Sequence, residues 1–356
     1  MHSALSFSDS LPRNGRPLGA LGVFAALLVA GCPRADTRVV LYCAENRDYG
    51  EGILTDFTSS SGLTVAPKFN AEAKDSIGLY EEIVRNAKRP RCGVFWNNEV
   101  FNSIRLQRLG LLEPYESPAA AGFPDDSKAW DRSWQAFAAR PRVLLINTHL
   151  IADDDRPDGI FDLVDPKWRG KIAMADPRHG TTATEAACLF EVLGAEKAKE
   201  YFRALKANEV VVVAGNKQAA QAVSSGQVAM ALTDSDDAIG ELNGGQPVAI
   251  ILPDRDGDPD HPQLGTLFIP NTVMIVKGAP NSAGARRLVD YLLSPEVERR
   301  LAEGGRYQVP LNPAVKANIH PALARPEDIK AMSVDWDRAA DLWDDVQAFL
   351  KDEFAR

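Results

Sequence analysis

The feature that most constrains this chain is an alternation of short β-branched runs with helix-like stretches, beginning near residue 38 and continuing through most of its 356 residues. RVVLYCAEN reads as a buried strand ending at Cys43 or Ala44, followed by a helix over residues 53–60 that Gly62 stops. LTVAPKF is the next strand, and from Ile77 to Lys88 apolar residues recur at helical spacing until Pro90. CGVFW, PRVLLINT, KIAMAD, VVVVAG, QVAMALT, PVAIILP and TVMIV read as further strands. Helices are expected over residues 182–193, through GAEKAKEYFRALKAN with Asn208 as its stop, near residues 284–302 and over residues 336–354. Strand and helix alternating in this way predict a parallel α/β sheet, and the length and 45% hydrophobic content suffice for two lobes.

The N-terminus is of another kind. Arg13 and Arg16 precede LGALGVFAALLVA, an apolar run too short to span a bilayer comfortably, which reads as the core of a secretory signal. Val29-Ala30-Gly31-Cys32 resembles the bacterial lipoprotein processing box, so residues 1–31 are expected to be removed, Cys32 lipidated and residues 32–36 left as a tether. An exported chain, anchored on the periplasmic or cell-surface side, follows. The formal charge of −9 speaks against a stable nucleic-acid partner, and no polybasic membrane patch is present. Cys43 ends one strand and Cys92 begins another, which places them at opposite ends of parallel neighbours and argues against a disulfide. Cys188 falls on an apolar helix face, as packing.

In open α/β sheets, ligands bind beyond the carboxyl ends of the strands. There the sequence places Glu45-Asn46-Arg47, Asn97-Asn98-Glu99, His179-Gly180-Thr181-Thr182, Asn216-Lys217 and Asp234-Ser235-Asp236-Asp237. In HGTTATEAA, Thr182 and Glu185 have the spacing of a capping box, Gly180 allows close approach, and a helix N-terminus suits an anion. The three aspartates at 234, 236 and 237 repel one another unless a cation or hydrogen-bond donors compensate them. The charged loops 153–158 and 254–260 are expected to be solvated: counted from Asp254, the twelfth position is Gly265, where a calcium loop needs glutamate. No G-x-S-x-G, P-loop, H-E-x-x-H or C-x-x-C pattern is present, and His149, His179, His261 and His320 lack metal-ligand spacing. The clusters therefore point to recognition rather than turnover, and a non-enzyme is expected.

Several motifs in order, namely FTSSSGLTV, CGVFWNNE with LGLLEPY, FAARPRVLLINT, DPKWRGKIAMADP, GNKQAAQAVSSGQVAMALTDSDDA and YLLSPEVERRLAEGGRYQVPLNPAV, resemble the solute-binding components of iron(III)-type ABC importers. The resemblance covers almost all of residues 37–318. It implies a two-lobe periplasmic-binding-protein fold of the second type, with crossing strands near FAARPRVLL and from PVAIILP to TLFIPNT. Lobe 1 is then expected over residues 37–140 plus 265–305, lobe 2 over 141–264, and a helical tail over 306–356. It also implies a monomer that delivers its ligand to an ABC permease and its ATPase subunit, with no tightly bound cofactor.

Carried over by position, the family's anion site falls on Gly180, Thr181, Thr182 and Asn216, with Arg140 added from the crossing strand. Two adjacent tyrosines that hold iron in many members are here Asp236 and Asp237; the histidine position is Asn46, and the glutamate position is Asn98, or Glu99 with a one-residue gap. The resemblance makes iron(III) or an iron chelate the expected ligand, with a phosphorylated sugar or phosphonate as the alternative, and at the level of residues three readings of Asp234, Ser235, Asp236 and Asp237 stay open. They hold Fe3+ as transported ligand, directly through Asp236 and Asp237 or as a chelate, with a synergistic anion. They grip the hydroxyls or ammonium of a phosphorylated sugar or phosphonate. Or they cap a helix starting at Asp237 or Ala238. Outside this class stand a metal-dependent phosphoester hydrolase, against which the lack of histidine partners counts, and a structural lipoprotein with an empty cleft.

Overall fold

The computed structural model describes residues 37–45, 47–69 and 73–355, so the expected signal peptide, Cys32 and the tether lie outside the described residues. The alternation resolves as β1 (Arg38–Cys43), α1 (Arg47–Ser61), β2 (Thr64–Phe69), α2 (Ala73–Arg85), β3 (Val94–Asn97), α3 (Phe101–Arg108) and β4 (Leu112–Glu113). The long β5 (Trp134–Asn147) then leads to β6 (Ile172–Ala175), α4 (Gly180–Leu193), α5 (Ala195–Ala207), β7 (Val211–Val213), α6 (Asn216–Ser224), β8 (Met230–Asp234), α7 (Ser235–Asn243) and β9 (Val248–Ile251). The chain returns through β10 (Phe268–Val276) to α8 (Ser282–Leu292) and α9 (Pro295–Glu303). Residues 304–335 contain no helix, and only α10 (Trp336–Asp341) and α11 (Trp343–Phe354) make the C-terminal stretch helical.

The strands run in the order β2-β1-β3-β10-β5-β8-β6-β7, with β4 on β10 and β9 on β5. β1 is parallel to β2 and β3, and β6 is parallel to β7 and β8. β5 and β10 run antiparallel to their partners, so the expected parallel sheet is in fact mixed. The reason is geometrical: these two strands carry the chain between two parallel groups instead of returning through a crossover helix.

All of β5 is buried. Trp134–Pro141 pair with β10 and Arg142–Ile146 with β8, so one strand belongs to both groups. Pro141, which reads as the start of a strand, lies inside it where the ladder changes partner, a place that tolerates a residue without an N–H. The β5–β10 register slips at Pro270/Asn271 and leaves Ala138 as a bulge with φ 42°. A left-handed alanine costs roughly 1–2 kcal/mol. Here the conformation is caught from both sides: Ala138 N–H donates to Glu298 Oε1 at 2.8 Å, and its carbonyl accepts from Asn271 Nδ2 at 2.6 Å. Fully buried Glu298 also accepts from the N–H groups of Leu311 (3.0 Å) and Asn312 (3.1 Å), tying β5 to the segment after α9.

The core continues under both groups. Phe101 packs edge-on against Trp336 and Trp343, while Phe190 and Phe202 meet Phe349, so the C-terminal helices rest on α3 as well as on α4 and α5. Asn208 ends α5 as expected, and its amide donates to the carbonyls of Leu163 and Asp165 at 2.9 Å. Cys43 pairs with Trp96 across β1 and β3, well past Cys92, and Cys43, Cys92 and Cys188 are buried and free. Asp153–Asp155 are solvated as expected, but Asp254 is not. It turns inward, accepts from Ile160 N–H at 3.2 Å, and comes so close to Gly159 that a Cβ there would lie 2.2 Å from Asp254 Oδ1. Burial pushes the Asp254 carboxyl up to about 6.

Candidate functional site

The carboxyl ends of β1, β3, β6 and β8 and the N-termini of α4, α6 and α7 face a cleft of about 810 Å³. Asn98, Glu99, Arg140, Gly180, Thr181, Asn216, Asp234, Asp236 and Asp237 line it, so most of the expected site residues come together. Thr182 and Ser235 are almost fully buried and do not line it, and Asn46 lies outside the described residues.

Beneath the cleft sits a residue that the sequence reading missed. Register pairs Arg142 of β5 with Asp234 of β8. The fully buried guanidinium makes ion pairs with Asp234 at 2.8 Å and with Glu185 of α4 at 3.0 Å. It also donates to Asn216 Oδ1 at 3.0 Å. Thr181 donates to Asp234 at 2.7 Å, and the Asn216 amide donates to Thr181 (2.8 Å) and Asp234 (3.0 Å). The threonine and asparagine side chains expected to hold an anion are therefore engaged in bracing Arg142. Burial works to raise Asp234, but Arg142 and Arg140 hold it below the usual carboxylate range. Burial prevails at Glu185 and raises it.

Three further expectations need correction. Thr182 and Glu185 form no capping box: α4 starts at Gly180, His179 is its N-cap without a side-chain cap bond, and Glu185 is drawn to Arg142 instead. Glu99 does not offer its carboxylate to a ligand. It accepts from Asn97 Nδ2 (2.8 Å), Phe101 N–H (2.5 Å) and Asn102 N–H (2.9 Å), which closes the start of α3. The aspartate cluster caps no helix at Asp237 or Ala238, because α7 begins at Ser235 and Asp234 makes no cap bond.

The second missed residue is Arg306. Its Nη2 lies 2.8 Å from Glu45 Oε1 beyond β1 and 2.9 Å from Asp236 Oδ2 in α7. Glu45 in turn accepts from Gln308 Nε2 at 2.9 Å, and Gln308 Oε1 accepts from Asn271 at 2.7 Å. A polar chain thus runs from the β5 bulge to the cleft wall. Only the surprise of a charge within an apolar strand could have pointed to Arg142; Arg306, in a glycine-flanked loop, gave no comparable signal.

Asp234, Asp236 and Asp237 can bring one carboxylate oxygen each within 4.8 Å of one another. Asp237 pays for this crowding: burial first, then Asp236 and Asp234, push its carboxyl up to about 8 against the pull of Arg306 and Arg140. Arg140, Arg178, His179 and Lys217 line the same cleft. Arg178 is paired with Asp176 at 2.5 Å, and Arg140 donates to the Asn98 carbonyl. Arg140 Nε and His179 Nδ1 are shielded from water and have no partner among the described residues. The cleft lining therefore interleaves carboxylates with cationic side chains.

Residues 104–341 match the family model described as "Bacterial extracellular solute-binding protein". The chain is 26% identical over 305 residues to the "Major ferric iron-binding protein" of Neisseria meningitidis serogroup A, covering 84% of this chain and 88% of that one. Its fold is similar to that of iron-bound HitA from Pseudomonas aeruginosa (TM-score 0.77, 22% identity, 89% of this chain and 99% of the other). It is also similar to AfuA from Actinobacillus pleuropneumoniae with fructose-6-phosphate bound (TM-score 0.74, 23% identity, 89% and 98%). These likenesses show a periplasmic-binding-protein fold of the second type.

Proposed function

The chain belongs to the bacterial extracellular solute-binding protein family, and on that premise we propose that it is the receptor of an ABC importer for a small organic oxyanion of the phosphorylated-sugar or phosphonate kind. One observation carries this reading: Asp234 and Asp236 are already compensated by Arg142 and Arg306, while Arg140 Nε and His179 Nδ1, on residues that line the cleft together with the start of α4, have no partner among the described residues. A buried guanidinium donor such as Arg140 Nε is costly without a partner, and an oxyanion at a helix N-terminus satisfies it, with His179 Nδ1 adding a second bond in the tautomer that carries its proton there. The likeness to AfuA with fructose-6-phosphate bound supports the same ligand class.

A second reading keeps iron(III) with a synergistic anion as the transported ligand. The convergence of Asp234, Asp236 and Asp237, and the likeness to ferric iron-binding proteins, favour it. Fe3+ would then take oxygen from Asp236 and Asp237 in place of the family's tyrosines, displacing Arg306 and the Asp237 proton.

In either case binding is the function, with no bond broken. The two lobes, expected over residues 37–140 plus 265–305 and 141–264, gain their differential contacts on closure, which the permease and its ATPase partner read. Elemental analysis of the mature protein, purified from its own envelope without chelator, is expected to find phosphorus and no iron. Fructose 6-phosphate or 2-aminoethylphosphonate should raise the melting temperature and shrink the radius of gyration. Near-stoichiometric iron would replace the oxyanion reading with the second one.

The tether is part of the same proposal, resting on Val29-Ala30-Gly31-Cys32. Wild-type protein should sediment with membranes, and Cys32→Ala should move it to the soluble fraction. Equal sedimentation of both would remove the lipid anchor.

A further inference from the structure

Arg306 comes from the stretch after α9 and reaches residues beyond β1 and beyond β8 at once. The backbone before it is built for that approach. Gly305 has φ 89°, and a Cβ there would lie 3.4 Å from the Tyr49 ring; a Cβ on Gly304 would lie 2.5 Å from the Arg300 carbonyl. The guanidinium itself lies over Tyr49, 5.1 Å from the ring centroid, which fixes its plane.

The ion pair with Asp236 uses one nitrogen and one oxygen. Arg306 Nε and Asp236 Oδ1 are left over, both shielded from water and without a partner among the described residues, on side chains that line the cleft. One is a donor and the other an acceptor. An ionised phosphate oxygen can only accept, and an ammonium can only donate; a hydroxyl does both. We propose that Arg306 and Asp236 together read a hydroxyl of the bound solute, and that Arg306 is the residue that separates hydroxyl-bearing oxyanions from bare ones.

This rests on the oxyanion reading above and adds a division of labour. Arg140, His179 and the start of α4 take the charged head, while Arg306 and Asp236 take the polyol end. Glu45, held by Gln308 and through it by Asn271 at the β5 bulge, keeps Arg306 in place. A bare metal ion would have to displace this guanidinium from Asp236, one of the three clustered aspartates.

The test is calorimetric titration of the mature protein with fructose 6-phosphate and with inorganic sulfate, an oxyanion without an O–H at neutral pH, comparing wild type, Arg306→Lys and Asp236→Asn. Lysine keeps the charge but lacks the planar Nε donor. The ratio of the two affinities is expected to favour fructose 6-phosphate in wild type and to drop about thirtyfold in Arg306→Lys, the value of one charge-assisted hydrogen bond. Asp236→Asn should shift the ratio in the same direction. An unchanged ratio, whether both affinities hold or both fall, would overturn the assignment: the loop would then act through charge or folding alone. Scanning calorimetry of each variant separates misfolding from lost recognition. If neither probe binds wild type while ferric citrate does, the oxyanion reading itself fails, and the hydroxyl assignment falls with it.

Discussion

Arg142→Met is expected to destabilise the protein by about 3–5 kcal/mol, measured as a lower midpoint in chemical denaturation at neutral pH. The size follows from what would be left behind. Arg142 is fully buried, and its guanidinium is the cation between Glu185 and Asp234, at 3.0 and 2.8 Å. Methionine fills much of the volume but leaves Glu185 buried without its counter-charge and Asp234 with Arg140 alone. They would respond by taking up protons, so the deficit should shrink as the pH is lowered toward the carboxylate range. Adding Glu185→Gln and Asp234→Asn to Arg142→Met should recover part of the loss, because the amides carry no charge and Thr181 and Asn216 already donate to the residue at position 234. A single-variant loss below about 1 kcal/mol would show that the ion triad is not the brace described above. The same substitution should weaken oxyanion binding, since Thr181 and Asn216 lose the group that orients them.

The second large effect is a pH dependence centred on Asp237. Its carboxyl is raised to about 8 by burial and by its two aspartate neighbours, far above its value in the unfolded chain. Between roughly pH 4 and 8 the folded state therefore holds a proton that the unfolded state has released. Stability from this group is complete below the unfolded value and is lost as the pH rises through the folded one. The slope is at most one proton, about 1.4 kcal/mol per pH unit. Asp254, raised to about 6, tilts the curve in the same sense, so the informative quantity is the difference between wild type and Asp237→Asn. That variant should become progressively more stable than wild type as the pH rises from 5 to 9. Parallel curves over that range would place Asp237 in an ordinary solvated environment. Ligand binding sorts the two ligand readings by sign. Ionising Asp237 repels an oxyanion, so affinity for fructose 6-phosphate should fall above pH 8. An iron ligand set would instead gain from the lost proton.

How much was legible in advance depends on how local each feature is. Strands and helices are written in short-range periodicity, and most appear where the pattern places them; β5 ran seven residues further upstream because Pro141 reads as a boundary and here marks a change of partner. The polar clusters at strand ends were visible for the same reason, and nine of the twelve expected site residues line the cleft. What each does was not visible. Thr182 and Glu185 have the spacing of a capping box, yet a buried cation two strands' width away outcompetes a backbone N–H for the carboxylate. Glu99 looked like a ligand group and is consumed by the start of its own following helix.

The sequence by itself determined the α/β class, the order of the elements, the edge at which polar residues gather and the family to which the chain belongs. Tertiary structure alone decided that β5 and β10 run against their neighbours and that their register sets Arg142 opposite Asp234. It also decided that Arg306 closes the gap between Glu45 and Asp236. The physical reason is range. Side-chain periodicity reports which face of an element is dry, but the partner of a buried charge is fixed only when distant strands meet. The energy of that meeting depends on a separation of about 3 Å and on exclusion of water, neither of which is encoded in neighbouring residues.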